Sequence, residues 1–432
     1  MRRSILSVAL VPFLLALLVL SCSRTQPENW THFRGTNLNG LSESKNVPVH
    51  WSETENIAWK VPVRGLGWSS PVVYDNQIWL TTADKDGQWF SAVCLDFETG
   101  EIITEKELFK PETVQRIHGT NSYASSTPCI EKDFVYLHYG TYGTACMNTK
   151  TFEVVWSRTD MNCEHMQGAA SSVILYDDLL IVHLEGTDVQ DIYALDKRTG
   201  ETVWKVGTPD EEGYEKLAPV YRKSYQTPLV ITVDGQDQLI TPRAQYAISY
   251  NPRNGEENWR IYYGEDSPVS MPLFYQGLVL VNSGWVLSEG APYFARLFAV
   301  DPTGKGDVTA SKIVWQTEKN VPQISSPVIV DSLMFMVAER GALTCLNPTN
   351  GRVYWEEKLK GHFDISPVCA GGNIYFTNLK GETIVIRAAP SFELVAENKL
   401  DGTFKATPAI LRDAILQRSD DFLYKIEVSK ED

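Results

Sequence analysis

The side chains of this sequence with chemistry to offer are seven histidines, seven cysteines and a scatter of aromatic and charged residues beside recurring prolines. The cysteines show no metal or redox pattern, because no Cys-x-x-Cys occurs. Cys94, Cys146 and Cys345 fall at one recurring position that Ala194 and Ala299 fill elsewhere, and Cys129 and Cys369 share another, so the expectation is packed thiols rather than disulfides. His118 and His165 lie in long connections, and His138 and His183 recur at one position; structural polar roles are expected, and no metal site. No Gly-x-Ser-x-Gly elbow, phosphate loop or His-Glu-x-x-His helix is present, so no catalytic residue is assigned. What remains is binding chemistry. Arg243 and Lys405 could hold an anion or a carboxylate, and Trp68, Tyr225 and Trp285 could stack on a planar ring or a sugar, with Gln226 and Asp364 beside them.

Charge and address bound the partners. The 432 residues carry a formal net charge of −15, which argues against nucleic acid, whose phosphates need clustered Lys and Arg. Residues 1–21 read as an export signal: Arg2 and Arg3, an apolar run from Ile5 to Leu20, then Ser21 ahead of Cys22. The apolar run is short for a span of about 20 residues. A cysteine directly after a small residue resembles a bacterial lipobox, which implies cleavage before Cys22, its lipidation, and attachment to the membrane through the lipid anchor. Ser23 in place of Asp favours the outer membrane, by analogy with the sorting rule for such lipoproteins. Residues 22–55 then read as a tether and leader.

The rest must position the candidate residues, and a repeat does so. Ser70-Pro71, Thr127-Pro128, Thr227-Pro228, Met271-Pro272, Ser326-Pro327, Ser366-Pro367 and Thr407-Pro408 each precede an apolar strand, and Ser172-Val173 fits the gap, giving eight starts roughly 40–57 residues apart. A second element follows most starts: Asp or Asn, a tight turn closing in Gly, then Trp. Examples are Asp196 to Gly200 with Trp204, Asn251 to Gly255 with Trp259, and Asn347 to Gly351 with Trp355; Asp301 to Gly304 leads to Trp315 after a small insertion. Thr104 stands where the first repeat should have Trp, and Phe152 where the second should have Gly. The Asp or Asn side chain closes the turn, Gly supplies a positive φ, and the Trp covers the gap to the next unit. The expectation is an all-β fold: an eight-bladed β-propeller of four-stranded antiparallel blades over residues 56–432. The final repeat is a strand short, so the segment around Trp59 is expected to complete it and close the ring.

The Asp-x-x-Thr-Gly-x-x-x-Trp element resembles the tryptophan-docking motif of the pyrroloquinoline-quinone (PQQ) repeat. The leader Trp30-Thr-His-Phe-Arg-Gly35, with Gly40, Trp51 and Trp59, is similar to the start of bacterial secreted PQQ-like repeat proteins. In outline the chain also resembles the propeller lipoproteins of outer-membrane barrel assembly. The resemblance implies a propeller, and either a scaffold or a quinoprotein oxidoreductase using PQQ, Ca²⁺ or another metal. Quinoprotein dehydrogenases often carry adjacent cysteines beside the quinone, and this chain has no Cys-Cys pair; no cofactor is expected.

Strand direction sorts the connections. The long ones, 110–124, 161–170, 208–225 and 283–292, fall on one face, whereas the Asp-Gly turns fall on the other. Loops on a rigid scaffold carry binding, so the reading is a monomeric, non-catalytic envelope lipoprotein whose long-loop face binds a protein or glycan.

Overall fold

The computed structural model describes residues 28–208, 216–264, 267–284 and 295–428. The signal segment, Cys22 and Trp285 lie outside the described residues, as do parts of the long connections 208–225 and 283–292. Eight antiparallel sheets follow one another along the chain. Blade 1 comprises Val72–Tyr74, Gln77–Ala83, Phe90–Asp96 and Ile102–Phe109. In blade 8, Ala409–Leu411, Ala414–Arg418 and Phe422–Glu427 receive their outermost strand from the chain's beginning: Ile57–Pro62 pairs with Phe422–Glu427 in the register Val61↔Leu423. The ring is thus closed as the short final repeat requires. Blade 4 departs from the four-stranded expectation. The insertion after Gly304 adds Gly306–Asp307 as a fifth, parallel strand on Glu257–Tyr262.

The inner strands are buried on both faces, since each blade is covered by a neighbour on either side; all seven residues of Leu179–Glu185 are buried. The outer strands are half-exposed, and each carries a β-bulge at the same place. In blade 3, Ala194 opposes Trp204 but Leu195 opposes Thr202, leaving Val203 as the extra residue; blade 8 repeats this with Ala58 ahead of Trp59. A bulge re-aims the following side chain. Here it leaves the extra residue in solvent, such as Val155 at 47% and Val203 at 53% exposure, and turns the tryptophan inward.

Each inward indole reaches the next blade. Trp59 Nε1 donates to Phe97 O (3.2 Å), Trp156 to Lys197 O (3.0 Å), Trp204 to Pro252 O (3.0 Å), Trp315 to Pro348 O (3.1 Å) and Trp355 to Ala389 O (3.1 Å). Four of these rings lie over the turn glycine of the neighbour, Gly100, Gly200, Gly255 and Gly351, where a Cβ would approach within 2.7–2.9 Å. The fifth, Trp355, meets Phe392 edge-on at 5.5 Å. Trp259 works through a relay instead, donating to Gln238 Oε1 (2.8 Å), while Gln238 Nε2 donates to Pro302 O (3.2 Å).

The leader is more than a tether: it threads the axis. Trp30 bridges the innermost strand of blade 1 at Val73, Ile130 N–H of blade 2 donates to Thr31 O (3.0 Å), and Leu175 N–H of blade 3 donates to His32 Nε2 (3.3 Å). Arg34 Nη2 donates to Pro327 O of blade 6 (2.6 Å), and Cys369 N–H of blade 7 to Gly40 O (2.8 Å). Inner-strand backbone groups that would face an open channel are satisfied by this plug.

Candidate functional site

The Ser/Thr-Pro steps acquire a structural reason. Five of the hydroxyls accept the backbone N–H of the equivalent residue in the preceding blade: Ser70 N to Thr127 Oγ1, Thr127 N to Ser172 Oγ and Ser172 N to Thr227 Oγ1 (all 3.0 Å), then Met271 N to Ser326 Oγ and Ser326 N to Ser366 Oγ (both 2.9 Å). This belt ties blade to blade around the axis. Met271 has no hydroxyl, so no such bond enters blade 5.

The belt hydroxyls Ser70, Thr127, Ser172, Thr227, Ser326 and Ser366, with Thr407, line the lower part of an axial cavity of about 580 Å³, with Phe33 of the plug at its floor. Two residues before each repeat start, in the extended segment that leads into the innermost strand, the chain again faces the axis, with the period of two of an extended chain. The upper tier is therefore one residue per blade: Trp68, Ser125, Ala170 and Tyr225 on one side, and Val269, Ile324, Asp364 and Lys405 on the other. His118 and Asn121 from loop 110–124 and Gln167 from loop 161–170 raise the wall. The two loops are joined by Asn121 Nδ2 donating to Ala169 O (3.0 Å) and by Gln115 Nε2 donating to Cys163 O (2.9 Å). The cavity is thus a cup open toward the long connections.

Four sequence-selected residues, Trp68, Tyr225, Asp364 and Lys405, come together here. Lys405 Nζ sits 2.7 Å from Asp364 Oδ2 and 5.2 Å from the centre of the Trp68 ring, and His362 Nε2 lies 2.7 Å from Asp364 Oδ1. Burial pushes the Asp364 carboxyl up, but His362 and Lys405 outweigh it and hold the group below its ordinary range. The same contact raises His362. Trp68 Nε1 donates to Asp420 Oδ1 (2.9 Å), and Tyr225 Oη donates to Gln167 Oε1.

Two residues fall elsewhere. Gln226 is fully buried behind the wall, one residue out of phase with the tier. Arg243 is 1% exposed, and its Nε meets Glu185 Oε1 at 2.6 Å, its Nη1 donates to Tyr250 Oη (3.0 Å) and its Nη2 to Gln190 O (2.6 Å). It ties blade 4 to blade 3 and offers the cup no donor, which corrects the expectation that it holds an anion there. Burial raises the Glu185 carboxyl, yet Arg243 and His183 overcome this and keep it below its ordinary range. The third stacking candidate, Trp285, lies outside the described residues.

Sequence reasoning passed over Ala170, Val269 and Ile324 because they bear no polar group; the rule of two residues before each repeat start finds all three. Among the described residues no group of three or more His, Cys, Asp or Glu converges as metal ligands, and the six described cysteines are buried and free. Burial pushes the Cys146, Cys345 and Cys369 thiols up to about 12, which fits core filling rather than reactivity.

A curated relative, outer membrane protein assembly factor BamB of Yersinia pestis, is 19% identical over 252 residues, 48% of this chain and 62% of that protein's length. The match therefore spans less than two thirds of the relative. The crystal structure of BamB from Moraxella catarrhalis superposes with a TM-score of 0.61 at 12% identity, covering 87% of this chain and 98% of that one. The quinohemoprotein alcohol dehydrogenase ADHIIG from Pseudomonas putida HK5 gives 0.62 at 11% identity, covering 94% and 81%. At such identities the likeness concerns the fold, which hosts both an assembly factor and an oxidoreductase. The family model described as outer membrane protein assembly factor BamB matches residues 88–206 and 188–429, well over half of the sequence, and the chain belongs to that family.

Proposed function

We propose that this chain is a non-catalytic scaffold of the cell envelope, held at the outer membrane by a lipid on Cys22, that docks an envelope protein on its long-loop face. One observation carries the reading: the cup presents one side chain from each of eight blades, all different in kind, beside two long loops packed against each other. Such a surface can specify a partner, whereas the opposite face offers tight turns closed by their own Asp and Asn side chains, as in Asp196 Oδ1 accepting from Arg198 N (2.8 Å) and Thr199 N (2.9 Å). The name of the curated relative and of the family, an outer membrane protein assembly factor, agrees with a protein partner.

A calcium-bound quinone does not enter this reading. The cup's carboxylates are engaged: Asp364 lies between Lys405 and His362, and Glu339 Oε1 accepts the backbone N–H of Gln323 (2.6 Å) and Ile324 (2.8 Å).

The test is photocrosslinking in cells. A crosslinker at Ser125 or Thr120 should capture an envelope protein, and one at Lys197 or Arg352 in the Asp-Gly turns should not. Capture from the turns alone would place the working surface on the other side, and adducts with glycan alone would change the partner class. Replacing Cys22 with Ser should release the chain from membranes; retention would remove the anchor from the proposal.

A further inference from the structure

The cup stands in a collar of buried positive charge. Arg34 and Lys223 are wholly buried and Arg418 is 1% exposed, in a chain whose net charge is −15. Arg34 Nη2 donates to Asn39 O (3.1 Å) and to Pro327 O (2.6 Å), while its Nε and Nη1 have no partner. Arg418 Nη1 donates to Ser69 Oγ (2.7 Å), Thr81 O (2.9 Å) and Ser69 O (3.3 Å), and its Nε has none. Lys223 Nζ has no hydrogen-bond partner and lies 4.4 Å from the centre of the Tyr225 ring. Each abuts the cup wall: Pro327 follows Ser326, Ser69 lies between Trp68 and Ser70, and Tyr225 belongs to the upper tier. Burial lowers Arg34 to about 9, Arg418 to about 10 and Lys223 to about 8, which leaves all three protonated at neutral pH.

Buried charge is costly unless it is paired at close range. Glu185 and Asp188 act on Lys223, and Asp420 acts on Arg418, only through space, with no hydrogen bond or ion pair between them among the described residues, and the acidic groups that line the cup are committed. Asp364 answers Lys405 and His362, Glu339 takes two backbone N–H groups, and Asp420 holds the Trp68 indole. The belt hydroxyls point the same way. Five of their oxygens accept a backbone N–H, so the protons of those hydroxyls are left to donate, and Ser70 Oγ has no partner.

We infer that the cup takes an oxyanion, a carboxylate or phosphate group seated on the hydroxyl tier. The inference rests on the long-loop face being the working surface. The same chemistry has two sources, an acidic segment of the docked protein or a free small anion.

The test uses the purified full chain in detergent, with calorimetry and thermal melting against inorganic phosphate, citrate, a tetraglutamate peptide, a tetralysine peptide and trehalose. The expected result is saturable binding of at least one of the three anions, weakening as salt rises. The double variant Ser70→Ala/Thr407→Val removes two lining hydroxyls on which no belt bond ends. It should melt like the parent and bind the anion at least about tenfold more weakly, the loss expected for even one hydrogen bond to a charged group. Binding of phosphate or citrate identifies a free anion as the source, and binding of tetraglutamate alone identifies an acidic segment. Absence of all three, equal binding of tetralysine or trehalose, or unchanged anion affinity in a normally melting double variant overturns the inference. A protein captured from Ser125 without any anion response would leave the docking reading standing alone; an anion response with capture only from the turns would do the reverse.

Discussion

The indole of Trp156 lies over Gly200 of the next blade, donating from Nε1 to Lys197 O at 3.0 Å, so closely that a Cβ on Gly200 would fall 2.7 Å from the ring. The glycine is therefore needed twice, for its φ of +75° and for the space. Gly235 has the same φ of +75°, but a Cβ there would meet nothing within 4 Å. Gly235→Ala should cost about 1 kcal/mol from backbone strain alone. Gly200→Ala should cost about 1–3 kcal/mol more, as overpacking does. Urea midpoints of the two variants give the difference, and equal midpoints would deny the indole any role in joining the blades.

This contact also explains two oddities as one. Thr104 leaves blade 1 without a tryptophan to lay on blade 2, and blade 2 is where Phe152 occupies the glycine position at φ 58°. Without an indole above it, the turn accepts a side chain, and Phe152 packs against Trp79 instead (6.1 Å between centroids). In sequence the two looked like independent lapses, because only the ring geometry shows which blade each tryptophan covers. The repeat, the blade count and the closing strand were legible, since they depend on local turn chemistry and period. The lining of the cup was legible in part. Trp68, Tyr225, Asp364 and Lys405 follow from a position in the repeat, whereas Arg243 was misread because its partner Glu185 is in another blade. Gln226 was misread by one residue of phase. The plug was hidden behind the plain reading of a leader as a tether, although Trp30 and Phe33 are apolar enough to demand burial.

The hydroxyl belt predicts a contrast between chemically identical changes. Ser326→Ala strips the acceptor from Met271 N–H and leaves a buried donor unpaired, at a cost of about 1–3 kcal/mol. Ser70→Ala removes a hydroxyl without a partner and should be close to neutral. Guanidinium denaturation of both variants checks this; a Ser70→Ala loss equal to that of Ser326→Ala would show that the belt bonds carry no stability.

Three histidines are buried in their neutral form. Burial lowers His32 and His138 to about 4 and His165 well below its ordinary 6.5, with His183 adding to the effect on His138 and Lys223 to that on His165, while Glu131 partly offsets it at His32. A folded value below the unfolded one means that the unfolded chain binds the proton first. The stabilisation is full above pH 6.5 and declines as pH falls toward 4, by about 1.4 kcal/mol per pH unit for each histidine. Thermal melts between pH 7.5 and 5 should show this decline, and His138→Asn, which can keep the contact with Thr144 Oγ1 (2.8 Å in the parent), should reduce the slope by about a third. A slope unchanged in the variant would assign the acid sensitivity elsewhere.

The plug and the closing strand can be separated by truncation. Removing residues up to 50 keeps Ile57–Pro62 in blade 8 but opens the axis, and it should lower the melting temperature while preserving one cooperative transition. Removing residues up to Val63 also exposes the edge of Phe422–Glu427 and should broaden or split the transition. Identical calorimetric traces for the two truncations would show that ring closure does not depend on the first strand.

The pairing of Ile57 with Ile426 sets the order in which the molecule can be finished. The first strand to leave the ribosome or cross a membrane has no partner until nearly the whole chain has followed it. Contacts so distant in sequence form slowly, because a very long loop must close before they give any return. During that interval the edges at both ends of the unfinished ring, and the inner strands that the plug will later satisfy, are open to pairing with other chains. The maturation of this protein should therefore be limited by a late clasping step and be sensitive to concentration and to holding chaperones, even though each blade is built from contacts that are mostly local.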